Sequence, residues 1–177
     1  IYKDMASKTQ LAFARQVYAA AVEAKTEIDP AFVTAQAMLE TGWGSRVIGK
    51  ANLFGITKGS QWDGDIVMVK THEYFKTPKQ KFKEPDRIVS VCKVAGKNLW
   101  YYTVMRAFKD FDSIGDCLKE HERLFQKPGY KDAWPCRKDP FKFAQKICDG
   151  VGCKYATDPT YLTTITSIIK TIRRKCV

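Results

Sequence analysis

Three Asp-Pro pairs, at 29–30, 139–140 and 158–159, fix where helices of this chain start. Aspartate is a favoured N-cap, because its carboxylate accepts from the unpaired amides of the first turn. Proline suits the first helical position, where its missing N–H costs nothing and its φ is already helical. The first pair predicts a helix from Pro30 to about Thr41, stopped by Gly42 and Gly44. The second opens a helix closed by Gly150, and the third opens one with Leu162, Ile165, Ile169 and Ile172 on a single face. Capping predicts two more. Ser7 with Gln10 makes a capping box before the stripe Leu11, Ala14, Tyr18 and Ala21; Ser113 with Asp116 opens a helix carrying Ile114, Cys117, Leu118 and Phe125.

Helical spacing fails in the middle of the chain. Trp62-Asp63-Gly64-Asp65 is turn-like, and Ile66 to Tyr74 is rich in β-formers. Residues 88–94 and 99–105 flank Ala95-Gly96-Lys97-Asn98, which reads as a hairpin. The prediction is an α+β chain, a mainly helical body with a small β-rich lobe from about Gly59 to Met105. At 177 residues it is expected to be one domain, with a cleft between body and lobe for an extended substrate.

Thirty basic against 19 acidic residues leave a net charge of +11. Such a surface favours polyanions: nucleic acid, anionic membrane or acidic wall polymers. No nucleic-acid motif is present and no apolar run has membrane-spanning length, so neither DNA binding nor membrane insertion is expected. Residues 1–4, with Lys3 and Asp4, carry no apolar leader, so export is expected to rely on a leader removed beforehand or on another route. Six cysteines (92, 117, 136, 148, 153 and 176) lack Cys-x-x-Cys spacing, and His72 and His121 are the sole histidines, so no metal site and no cofactor are expected. The even cysteine count suggests disulfides and an oxidising compartment, with the pairing open.

Glu40 is the first candidate for chemistry. It sits in Leu39-Glu40-Thr41-Gly42-Trp43-Gly44, at a predicted helix C-terminus. The negative end of the helix dipole disfavours a carboxylate there, and a Trp43 wall adds desolvation. Both keep the carboxyl protonated, as a general acid requires. A glycosidase commonly uses a second carboxylate. Asp63, Asp65, Glu73 and Glu84 are candidates, and Glu73 is preferred because it lies on a predicted strand. A solvated strand residue is the competing reading. His72 alternates to the other face, and His121 falls on the apolar side of its helix, as a structural residue would. Trp43, Trp62, Trp100, Tyr101, Tyr102, Trp134 and Tyr155 offer rings on which sugars stack, against core packing as the alternative.

Three segments in order carry a resemblance: Glu40-Thr41-Gly42-Trp43-Gly44, Asn52-Leu53-Phe54-Gly55-Ile56, and Tyr155-Ala156-Thr157-Asp158-Pro159-x-Tyr161. Together they resemble the glucosaminidase family of glycoside hydrolases, family 73, which includes flagellar rod-cap glucosaminidases and bacterial autolysins. The resemblance implies a lysozyme-like fold over about 28–172 and cleavage of peptidoglycan after N-acetylglucosamine. It implies Glu40 as general acid, Glu73 as second acidic residue and Tyr155 beside the reacting sugar, all three catalytic. Trp43, Phe54, Trp62, Asn52 and Tyr161 are the expected substrate-binding positions; the resemblance implies Phe54 as the floor of the cleft, and Asn52 is read as holding its turn. Cys153-Lys154 departs from the family pattern, and a disulfide there is expected to position Tyr155.

Peptidoglycan strands are then the expected partner, and the chain is expected to be a monomer, secreted or periplasmic. An antibacterial toxin with an immunity or delivery protein fits as well as an autolysin. The competing functions are an N-acetylmuramidase on a related fold and a wall-binding module without catalysis.

Overall fold

A computed structural model describes residues 6–149, 155, 156 and 158–177. They fall into two compact units, a helical unit on both sides of an inserted sheet unit, Gly55–Asp110.

In the helical unit, α1 (Lys8–Glu23) begins with the expected reciprocal capping box of Ser7 and Gln10. Helix α2 (Pro30–Thr41) begins where Asp29 accepts from the amides of Ala31 and Phe32. Its residues Ala31 to Met38 are all buried, so it is the central helix, packed against α1, α4 (Pro140–Asp149) and α5 (Tyr161–Lys175). Alanines at 31, 35 and 37 let neighbouring backbones approach closely. Phe32, Phe125 and Phe143 fill the centre edge-to-face, with ring centroids 4.8–6.2 Å apart. Each such fully buried side chain contributes roughly 1.5–3 kcal/mol. Helix α3 (Ile114–Phe125) is capped by Ser113, as expected, and its buried Glu122 accepts from the amides of Glu27 and Ile28, fixing the entry to α2.

One expectation shifts in this unit. Helix α5 begins at Tyr161, not at the Asp158-Pro159 pair. The Asp158 carboxylate instead accepts from the Thr160 amide and hydroxyl, both at 2.8 Å, and holds a turn ahead of the helix. The Gly150 stop of α4 lies outside the described residues.

The sheet unit has three antiparallel strands in the order β1-β3-β2: β1 Ile66–Phe75, β2 Arg87–Lys93 and β3 Trp100–Lys109. The hairpin falls where the sequence places it, with the Val94 amide donating to the Leu99 carbonyl and Gly96 at φ 69°. The last strand runs to Lys109, beyond the expected Met105, because Phe108 is buried and bridged to Thr57. A bulge between Ile88 and Ser90 shifts the register of β2.

The expected disulfides are not formed at Cys92, Cys117, Cys136 or Cys176, whose thiols are unbridged. Cys92 lies on the second strand of the sheet unit and Cys117 on α3, where it behaves as a small core hydrophobe: its sulfur accepts from the Leu53 amide and burial pushes its pKa up to about 12. Cys153 lies outside the described residues, and with it the bridge expected to position Tyr155.

Candidate active site

Glu40 stands in the last turn of α2, and the turn after it explains its motif. Gly42, Trp43 and Gly44 all have positive φ, at 57°, 60° and 89°. Left-handed Gly42 closes the helix with the paired bonds of a Schellman motif: the Trp43 amide donates to the Met38 carbonyl and the Gly42 amide to Leu39. The Gly44 amide donates to the Thr41 hydroxyl at 2.8 Å, and that hydroxyl donates to the Ala37 carbonyl at 2.6 Å. At Gly44 an added Cβ would lie 2.6 Å from the Phe13 ring, so only glycine fits. Trp43, a bulky residue in left-handed backbone, is held in strain by the glycines beside it. This tight reversal brings Arg46 back over Gly42 and within electrostatic reach of Glu40.

As a residue Glu40 is exposed, but its carboxyl end is crowded enough for desolvation to dominate. Its pKa is raised above the ordinary carboxylate range by burial, against the opposing pull of the Tyr155 hydroxyl and the Arg46 guanidinium. The Tyr155 hydroxyl donates to Glu40 Oε1 at 3.5 Å. Tyr155 itself is half-buried, stacked on Phe125 with ring centroids 5.6 Å apart and tilted against Tyr161 at 5.4 Å. Its own pKa is raised by burial and by nearby Tyr161 and Glu40, so it remains a neutral donor.

Of the other positions expected here, Tyr161 is buried behind Tyr155, its hydroxyl accepting from Gln36 at 2.9 Å. Asn52 is buried and its backbone bridges Ile48. Phe54 is half-buried and stacks on His121 at 3.6 Å. His121 is fully enclosed, neither ring nitrogen has a hydrogen-bond partner, and burial drives its pKa down to about 3, as its apolar helix side predicts. Glu40, Tyr155, Tyr161, Phe125, His121 and Phe54 therefore form one connected cluster. The sequence singled out neither Arg46 nor Gln36, since each owes its place to the fold: the left-handed turn for one, the packing of α2 on α5 for the other.

In the sheet unit, Glu73 lies on β1, half-buried and ion-paired with Arg106 of β3. His72 points to the other side, exposed and stacked on Tyr101. Asp63, Asp65 and Glu84 are exposed. Trp62 donates through its indole N–H to the Asp65 carbonyl at 2.8 Å, and the Lys109 ammonium lies 4.6 Å from its ring. Tyr102 is fully buried, so the packing alternative holds for it. Among the described residues no group of three or more His, Cys, Asp or Glu is gathered to hold a metal ion, and no helix is long and apolar enough to cross a membrane.

Helices around a buried central helix, with an acidic residue at that helix's end and a small antiparallel sheet inserted, define the class. The fold is a lysozyme-like α+β fold, matching the C-terminally truncated glycoside hydrolase domain of Salmonella typhimurium FlgJ with a TM-score of 0.66 and 22% identity, over 93% of this chain and 98% of that one. The chain belongs to the glucosaminidase family of glycoside hydrolases: the family model, described as mannosyl-glycoprotein endo-β-N-acetylglucosaminidase, matches residues 16–174. Among curated relatives, it is 30% identical over 141 residues to the peptidoglycan hydrolase FlgJ of Vibrio parahaemolyticus, covering 76% of this chain and 37% of that protein. It is 30% identical over 143 residues to a probable N-acetylmuramidase of Lactococcus lactis subsp. cremoris, covering 79% of this chain and 28% of that protein. The chain thus spans well under half the length of these relatives.

Proposed function

We propose that this chain hydrolyses the β-1,4 bond after N-acetylglucosamine in the glycan strands of peptidoglycan, with Glu40 as general acid. The observation that carries the reading is Glu40 itself: a carboxyl raised above its ordinary pKa by desolvation, at the end of a buried helix, with a tyrosine hydroxyl on its Oε1. Burial makes that carboxyl hold its proton more tightly than an ordinary one, and the proton is available to the glycosidic oxygen as the bond breaks. Tyr155, a neutral donor, orients the carboxyl and steadies the carboxylate left behind. Glu73 is the second carboxylate in this reading. It activates the attacking water, and is dispensable if the substrate's own 2-acetamido group attacks instead. Trp43, Phe54 and Trp62 supply apolar ring surface for the sugars. The +11 charge suits an anionic wall, and the place of action is outside the cytoplasm, whether as an autolysin or as a delivered antibacterial enzyme.

The likeness to a probable N-acetylmuramidase favours one alternative, cleavage of the other glycosidic bond. One experiment decides between them. Purified peptidoglycan is digested with the wild-type chain and with Glu40→Gln, and the new reducing ends are identified by mass spectrometry. The glutamine keeps the shape and removes the acid proton, so a loss of about 10²–10⁴ in rate is expected with the fold intact. Ends in N-acetylglucosamine support the proposed bond, whereas ends in muramic acid replace it with the alternative. An active Glu40→Gln protein removes Glu40 from the acid role.

A further inference from the structure

Glu73 does not stand on the solvated side of its strand. It pairs across the sheet with Tyr102, and Tyr102, Val104 and Phe108, alternating along β3, are buried. Arg106 belongs to the same alternation, so Glu73 and Arg106 share the covered face. A carboxylate there needs a partner for its charge, and Arg106 Nη1 donates to Glu73 Oε1.

The guanidinium is not free to move with Glu73. Its Nε forms an ion pair with Asp86 Oδ2 at 2.7 Å, and its carbon lies 5.6 Å from the centre of the Phe82 ring. Asp86 is tied in turn to β3, accepting from the Ala107 amide at 2.7 Å. The loop that brings Phe82 and Asp86 to this place is pinned by Tyr102, whose hydroxyl donates to the Thr77 carbonyl at 2.8 Å and accepts from the Gln80 amide at 3.2 Å. Side-chain exposures of 29% for Glu73, 25% for Arg106 and 16% for Asp86 show a cluster partly withdrawn from water but still reachable. All three line one concavity of about 690 Å³ in the sheet unit.

We infer that Arg106, locked by Asp86, is the positioning residue that fixes the Glu73 carboxylate for its part in glycan cleavage. The inference rests on the reading of Glu73 as the second carboxylate. A glutamate on a strand has three rotatable side-chain bonds, and an activating carboxylate displaced by an ångström loses much of its effect. A guanidinium held from two sides removes that freedom, because its fork fixes direction as well as charge. Asp86 acts one step further out, setting the plane of Arg106.

The test is steady-state kinetics on purified peptidoglycan with the full chain and five variants: Glu73→Gln, Arg106→Lys, Arg106→Met, Asp86→Asn and the Glu73→Gln/Arg106→Met pair. Arg106→Met is expected to lower kcat on the order of 10²-fold with KM within about twofold, since orientation and not ground-state binding is lost. Arg106→Lys recovers part of the loss, and Asp86→Asn falls between wild type and Arg106→Met. The double variant is no slower than Glu73→Gln alone, because the arginine acts only through the glutamate. Wild-type kcat in Arg106→Met beside a slow Glu73→Gln overturns the inference, as does a double variant in which the two losses multiply. If Arg106→Met fails to fold, Arg106→Lys and Asp86→Asn decide: unchanged kcat in both overturns it. Wild-type kcat in Glu73→Gln removes the second-carboxylate role and the inference with it, while the Glu40 reading is judged separately by its own variant.

Discussion

At Glu40, burial pulls the carboxyl one way and two neighbours pull it the other. Desolvation favours the protonated form; the Tyr155 hydroxyl and the Arg46 charge favour the carboxylate. Removing either neighbour therefore raises the pKa further. For a general acid, activity falls as pH rises through that pKa, so the alkaline limb of kcat/KM reports it in the free enzyme. Tyr155→Phe and Arg46→Met are each expected to move that limb to higher pH, read from pH–rate profiles on soluble glycan fragments. A shift to lower pH in either would contradict this electrostatic picture. The residue scale is also where the sequence was most legible. Glu40 was singled out as the candidate acid because a charged side chain at a helix end next to Gly-Trp-Gly is unusual chemically as well as by motif. Arg46 was invisible, because only the left-handed turn brings it back.

Among the elements, the turn after α2 is the most demanding. Three successive residues of positive φ reverse the chain within a few ångströms of the Phe13 ring. Gly44→Ala puts a methyl group 2.6 Å from that ring and forces an L side chain into φ 89°. A loss of about 1–3 kcal/mol is expected, seen as a lower urea midpoint with unchanged m-value. A midpoint equal to wild type would mean that the turn relaxes without cost. Helix starts at Ser7, Asp29 and Ser113 were readable because a cap is a local contract between one side chain and the next few amides. The start of α5 was not, since Asp158 satisfies its acceptor in a separate turn with Thr160. The same competition between local bonds explains why the third Asp-Pro pair marks its boundary only to within a turn, whereas α2 and α4 begin at the prolines of the first two.

The whole molecule carries a further consequence in His121. Its imidazole is enclosed by Phe54 and Phe125 without a hydrogen-bond partner, and its folded pKa is about 3 against an ordinary 6.5. Between those values the unfolded chain binds a proton that the folded chain refuses. Stability contributed by the neutral ring is present above about pH 6.5 and is lost as pH falls toward the folded value, at up to about 1.4 kcal/mol per pH unit. Urea unfolding between about pH 7 and pH 4 is expected to show this slope in wild type and a flatter one in His121→Phe. Equal slopes would place the acid sensitivity elsewhere.

By itself the sequence determined the order of elements, most helix boundaries, the β-rich insertion and the identity of the candidate acid. These rest on contacts between residues near in the chain: caps, alternation, glycine stops and one compact motif. The tertiary structure alone decided which helix is central, which thiols stay unbridged, and that Glu73 faces the covered side of its sheet against Arg106 and Asp86. Those outcomes join residues far apart in sequence. Glu40 and Tyr155 are 115 positions apart and Arg106 and Glu73 are 33, and no local signal ties such partners together. Burial and charge pairing bring them into contact only once the chain has closed around its core.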